Sequence, residues 1–223
     1  RPEEPYFSVL NHLAERFPEK IQPQDSETRT FFHDIPVVRN FTPEAMVPLL
    51  KKRKIIFIPG LGIVTHGVLT PEQTFVHLSS VCFSSFTAFC CLYLRDIRQG
   101  RANSIQKDIF YRIKERYERC FLKPVPVLRE GPFKEPEEVL YAMEEAGCAI
   151  VHQGLVDSNF GNISFRFKDS IFISETSGAL DELRGNVVRV PLDGRNCLAL
   201  TASSEFSAHR SVLEESPYTC ILH

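Results

Sequence analysis

A chain of 223 residues is long enough to bury one substantial core or two small ones. Its 43% apolar and 24% charged residues are ordinary for a globular protein, and a net charge of −2 without a basic, aromatic-laced patch argues against a general nucleic-acid binder. Seven cysteines, an odd number with no Cys-x-x-Cys pair, favour neither a disulfide framework nor a zinc ribbon, so reduced thiols and a cytoplasmic setting are expected.

In chain order, the patterning predicts a helix over 5–17, a strand over 35–39 and a helix over 43–51. Strands over 54–59 and 63–66 follow, with Ile55-Ile56-Phe57-Ile58 apolar throughout, as in a strand covered on both faces. A helix is expected over 71–98. Its uncharged stretch 73–94 has the length of a membrane span, but His77, Ser79, Ser80, Ser84, Ser85 and Thr87 interrupt it, so core or subunit-interface burial is the expectation. After a helix over 103–121, the stretch 122–135, with Pro124, Pro126 and Pro132, reads as a linker. The helix over 136–152 carries Val139, Leu140, Met143 and Cys148 at helical spacing. Strands are predicted over 162–167, 170–174, 187–192 and 218–222, with a helix over 204–215 that puts Val212 and Leu213 on its apolar side. Asn162 to Phe167 alternates, giving one polar face, and Tyr218 to Leu222 reads as a buried strand. The chain begins at Arg1 rather than Met and stops inside that strand. Both ends are expected to be cuts, so the lack of a targeting signal carries no weight.

Several short motifs suit anion binding and proton transfer. Gly161-Asn162 before a strand lets backbone approach an anion, with an amide donor beside it; an ordinary Asx turn is the alternative. Thr176-Ser177-Gly178 offers two hydroxyls and a flexible backbone, or a capped turn. Ser203-Ser204 can cap their own helix or hold an anion against it, and Glu205 is either a proton-moving carboxylate or a first-turn glutamate that the helix dipole favours. His223, at the end of the next strand, is a candidate metal ligand that can converge with Glu205 on one pocket. His209 pairs with Glu205 at i+4, for which a structural role is expected. Gly60-Leu61-Gly62 with Gly67 lacks the context of a nucleotide loop, and His66 reads as a turn residue. Glu27, Arg29, His33 and Asp34 read as a salt-bridged loop, and Cys90-Cys91 as packing.

In order and spacing, Gly161-Asn162-Ile163-Ser164, Thr176-Ser177-Gly178, Ser203-Ser204-Glu205 and the strand ending in His223 resemble the N-terminal half of the class II aldolase/adducin family, over roughly 133–223. Residues 1–100 resemble that family's C-terminal half, through Pro5–Phe17, Asp34-Ile35-Pro36-Val37-Val38, Pro43–Lys54, Ile55–Gly67 and Pro71–Arg95. The halves stand in inverted order. The resemblance implies an α/β fold, a three-layer α/β/α arrangement around a mostly antiparallel central sheet. It also implies segments 1–126 and 127–223 that close one permuted unit or belong to two domains of a longer tandem protein. The implied activity is a metal-dependent lyase or epimerase acting on a phosphorylated or carboxylated sugar-like substrate; the alternative is a silent, adducin-like assembly domain. Carried over by position, Gly161, Asn162, Ser177, Gly178, Ser203 and Ser204 would contact the substrate anion, Glu205 would be the general acid/base, and His223 the first histidine ligand of a divalent metal, zinc by preference. That metal would polarise a substrate carbonyl. Arg1-Pro2 and Leu61 fall where the family reads histidines, and neither side chain ligates a metal. The metal site is therefore expected to be incomplete in this chain, with one ligand and no tight binding. A homo-oligomer without nucleic-acid or membrane partners is also implied.

Overall fold

The structure is a computed structural model of residues 1–223, and it describes all of them except 69–70, 122–123, 125, 157–158 and 194–199. Part of the expected linker, at 122, 123 and 125, lies outside the described residues. The chain divides into two compact units, Arg1–Arg116 and Tyr117–His223. That boundary falls inside helix α5 (Ser104–Phe121), upstream of the 126/127 division read from the prolines.

In the first unit, α1 (Tyr6–Arg16) is followed by β1 (Lys20–Ile21) and α2 (Ser26–Phe31). Neither β1 nor α2 is anticipated above. Asp25 caps α2 by accepting the Thr28 amide at 2.6 Å, a signal overlooked because the helix has only six residues. β2 (Ile35–Pro36) pairs with β1, and α3 (Pro43–Leu50) begins on a Thr42 cap with Pro43 in its first turn. β3 (Ile55–Ile58) and β4 (Gly62–Thr65) form an antiparallel hairpin, and β3 is buried at every position, as its composition predicts. Ile56, Ile58 and Val38 pack with Ala45, Met46 and Leu49 of α3. α4 (Pro71–Arg98) packs on α1 and buries Val81, Phe89 and Leu92. The stretch Gln73–Arg98 is long and apolar enough to cross a membrane, and half of its most apolar window is buried within the protein. The expected salt-bridged loop centres on Asp34, which is buried, lies 3.5 Å from His33, and is gripped by Arg53 through two bonds of 2.5 and 3.2 Å, with Lys20 at 3.6 Å. The Arg53 guanidinium holds that carboxyl below its usual range.

In the second unit, α6 (Pro136–His152) starts from a capping box in which Glu135 and Glu138 exchange side-chain and backbone bonds. Four strands follow in the order β7-β6-β5-β8, antiparallel throughout: β5 (Ile163–Phe167), β6 (Ser170–Ser174), β7 (Val187–Pro191) and β8 (Cys220–Leu222). Alternate residues of a strand face opposite sides. Ile163, Phe167 and Phe172 accordingly join Val139 and Met143 of α6, while Ile171, Ile173 and Val190 join Leu213 of α7 (Phe206–Glu215). Gly147 in α6 lets that helix meet the 180–183 segment, since a Cβ there would stand 2.0 Å from the Leu180 carbonyl oxygen.

Two expectations need correction. Tyr218 and Leu222 are exposed rather than buried, because β8 is the edge strand of its sheet. Val212 is exposed beside a fully buried Leu213, since α7 starts at Phe206 and turns Leu213 inward along with His209, one turn earlier.

Candidate functional site

The site is built where β5 begins, β6 ends, α7 begins and the chain reaches His223. Gly161 has φ +84°, and a Cβ there would lie 2.5 Å from the His223 carbonyl oxygen. This glycine permits the close approach in which the Asn162 and His223 amides each donate to the other's carbonyl, at 2.8 and 2.9 Å. β5 and β8 are thereby zipped one residue beyond their named ends. Asn162 is buried and its Nδ2 donates to Glu205 Oε2 at 2.7 Å. His223 Nδ1 meets that same carboxylate oxygen. Glu205 Oε1 has no hydrogen bond among the described residues. The bond from Asn162, with smaller help from His223, holds the Glu205 carboxyl below its usual range, although burial opposes the shift.

His209, one turn into α7, is buried, and its Nδ1 shares a 2.7 Å hydrogen bond with Ser164 Oγ. Ser164 lies on the polar face of β5, which the sequence alternation marks; α7 covers that face. The serine occupies Nδ1 and leaves Nε2 as the ring nitrogen for a further partner. Glu205, His209 and His223 each bring a potential ligand atom within 4.8 Å of the others. Burial keeps the His209 ring neutral more readily than usual. An ionised carboxylate, a neutral buried imidazole and an exposed imidazole form a donor set suited to a divalent cation such as zinc. One buried acceptor in the site, Asn162 Oδ1, has no partner among the described residues, as expected where a hydroxyl or water is to be bound.

The remaining residues predicted from sequence converge here, with differences in role. Ser203 donates its amide to Ser174 at 3.0 Å, Thr176 donates its amide to Thr201 at 2.9 Å, and Thr176 Oγ1 donates to the Ala202 carbonyl at 2.7 Å. The 174–178 turn therefore runs beside 201–203. Ser177 takes a left-handed φ of +62°, while the Gly178 amide closes the turn on Glu175 at 3.0 Å. The amides of Asn162, Gly178 and Ser203 are thus engaged, contrary to the expectation that they point at a ligand. Ser177 and Ser204 are exposed and keep amides and hydroxyls unpartnered among the described residues. Ser203 Oγ accepts the Glu205 amide at 3.4 Å, a weak cap. His209, for which the sequence suggests a structural role, is buried and bonded to Ser164, and it also lies in the Glu205–His223 group. Its spacing from Glu205 shows the pairing, but only the fold brings His223 to the same point.

A carboxylate and two imidazoles beside exposed serine hydroxyls form the kind of site that enzymes use to hold a metal and an anion together. Residues 142–223 match the family described as Class II Aldolase and Adducin N-terminal domain, so the resemblance read from the motifs holds for this segment. Among solved structures, the chain is similar to the crystal structure of l-fuculose-1-phosphate aldolase from Thermus thermophilus, with 28% identity, a TM-score of 0.34, and coverage of 38% of this chain and 43% of that one. The chain thus spans less than half the length of that aldolase. No curated protein matches it.

A pH dependence follows from the two shifted groups. His209 and Glu205 both have folded-state values below their ordinary ones, near 6.5 and 4.5. The stability each contributes is present above its ordinary value and is lost as pH falls, His209 first and Glu205 below it. Hydrogen exchange of the β5 and β6 amides followed from about pH 7.5 to 5 should show protection falling, and His209→Gln should flatten that fall. An unchanged slope in the variant would assign the fall to other groups.

Proposed function

We propose that the second unit carries the substrate-binding half of a class II aldolase-type site, serving a metal-dependent lyase or epimerase that acts on a phosphorylated or carboxylated sugar-like substrate. The observation that carries this reading is the joining of Glu205, His209 and His223 around a carboxylate braced by Asn162. A divalent metal, zinc by preference, would be held by those three groups, in place of the single ligand expected from the sequence, and would supply polarisation of a substrate carbonyl. Ser177 and Ser204 offer their exposed hydroxyls to the substrate anion. Glu205, kept ionised, takes a proton from substrate carbon or hydroxyl through Oε1 and returns it in the reverse direction. Asn162 holds the carboxylate still and places Oδ1 where a substrate hydroxyl can donate to it.

The three-layer α/β/α fold, a homo-oligomeric state and a cytoplasmic location belong to the same proposal. The two-sided covering of the β5–β7 sheet by α6 and α7 supports the layering.

A silent, adducin-like role is favoured for the first unit by one observation. The β3–β4 hairpin brings Gly62 against Arg1, with Leu61 exposed at its tip, so both positions where the family reads histidine lie together without a ligand atom.

Calorimetric titration with inorganic phosphate, alongside a screen of sugar 1-phosphates for carbon–carbon cleavage with zinc present, tests the proposal. Ser204→Ala should weaken phosphate binding by roughly 1–2 kcal/mol, the scale of a hydrogen bond to a charged group. Glu205→Gln should keep phosphate affinity or raise it while removing turnover. Unchanged phosphate binding in Ser204→Ala, with lost stability, would reduce that serine to a helix cap.

A further inference from the structure

The first unit contains a cavity that the aldolase reading does not use. It measures about 420 Å³, within the roughly 300–1,000 Å³ usual for small-molecule sites. Phe17 and Ile21 form one wall, and Ala88 and Leu92 of α4 the other. Lys20 and Arg95 stand among these apolar groups, and among the described residues no carboxylate lines the cavity. A second cavity of about 360 Å³ shares Gln22 and Gln24 with it and adds Arg29 and His33, again without a carboxylate among the described residues.

Among the described residues the pairing of these groups is partial: His33 Nδ1 lies 3.5 Å from Asp34. Arg95 and Arg29 have no ion-pair partner among the described residues. Lys20 lies 3.6 Å from Asp34, but Arg53 already grips that carboxylate with two bonds. Asp34 therefore steadies the Lys20 ammonium while most of its own charge is met elsewhere. The cavity offers apolar side chains together with two cations and the amides of Gln22 and Gln24.

We propose that this cavity binds an amphiphilic anion, a medium-length acyl or aryl chain ending in a carboxylate or phosphate. The chain lies between Phe17, Ile21 and Leu92, and the anionic head lies between Lys20 and Arg95. Both cations attract the head through charge-assisted bonds, and burial of the tail adds the hydrophobic contribution. The site is independent of the Glu205 cluster, and either reading can fail without the other.

The test uses the full chain and four probes of equal tail length: octanoate, octyl phosphate, octylamine and octyl glucoside, each below its micellar concentration, with inorganic phosphate as a fifth. Calorimetry should show one molecule of octanoate or octyl phosphate bound per chain, and the tighter of the two names the head group. Octylamine, octyl glucoside and inorganic phosphate should bind at least about tenfold more weakly. Arg95→Glu should weaken the anions by about tenfold or more, the scale of a lost charge-assisted bond. Arg95 is exposed, so this change leaves the core intact, and Lys20→Met, which keeps the aliphatic stem, provides an independent variant. Cys91 lines the cavity, whereas Cys148, also exposed, is remote in sequence and in the second unit. Maleimide labelling read by peptide mass spectrometry should be slowed by the bound anion at Cys91 and unchanged at Cys148. Equal binding of octylamine, unchanged affinity in Arg95→Glu, or an unprotected Cys91 would each overturn the assignment.

Discussion

Replacing Gly147 by alanine is expected to destabilise the second unit by at least about 3 kcal/mol, the upper part of the range for overpacking. The added Cβ would stand 2.0 Å from the Leu180 carbonyl oxygen and 3.0 Å from its carbon. Both are backbone atoms, so no side-chain rotation relieves the contact. α6 must withdraw from the segment holding Leu180 and Leu183, which fill the same core as Val139 and Met143. That segment directly follows the Ser177-Gly178 turn, so the candidate site loosens with it. Urea unfolding followed by circular dichroism measures the loss. Cys148→Ala, one residue further on at an exposed position, should stay within about 0.5 kcal/mol of the parent.

The second large effect concerns the donor cluster. Glu205→Gln should lower zinc affinity by about a hundredfold, because it removes the one anionic ligand from a set otherwise made of neutral imidazoles. His209→Ala should lower it comparably, and Ser164→Ala by about tenfold, the range found when a partner that orients a ligand histidine is lost. The serine touches only Nδ1 of His209, at 2.7 Å, so its effect reports positioning. Competition with a chromophoric chelator gives all three affinities, and circular dichroism confirms that the variants stay folded. If Ser164→Ala and His209→Ala bind zinc as the parent does, the buried histidine is a core residue, and the cluster is reduced to Glu205 and His223.

Much of this is legible in the amino-acid sequence alone. The long elements α1, α4, α5 and α6 follow directly from apolar spacing and flanking Pro, Glu and Gly residues, and β3 from four consecutive apolar positions. The elements that sequence patterning misses, β1 and α2, are two and six residues long, too short for any periodicity to show. For the site, the motifs at 161–162, 176–178 and 203–205, each carrying small or hydroxyl-bearing residues at a turn, fall in loops that the fold brings near one another. They do not reveal which amides are already bonded, since the ties from Ser203 to Ser174 and from Gly178 to Glu175 depend on tertiary pairing. Along its own helix, His209 has Glu205 as its natural neighbour. Its other two partners, Ser164 and the His223 side of the cluster, are 45 and 14 positions away in sequence, and no local pattern reaches that far. The exposed edge at β8 is hidden for a related reason. Tyr218, Ile221 and Leu222 are apolar enough to suggest burial, and only the strand order places them at the rim.

The central claim, that one cluster of Glu205, His209 and His223 holds a divalent metal, is tested most directly by X-ray absorption spectroscopy of the protein loaded with one equivalent of zinc. The expected result is a first shell of nitrogen and oxygen atoms at about 2.0–2.2 Å, with the outer-shell pattern of two imidazoles. In His209→Ala the imidazole contribution should fall by half. A sulfur shell at about 2.3 Å, or a shell of water-like oxygens without imidazole, would contradict it.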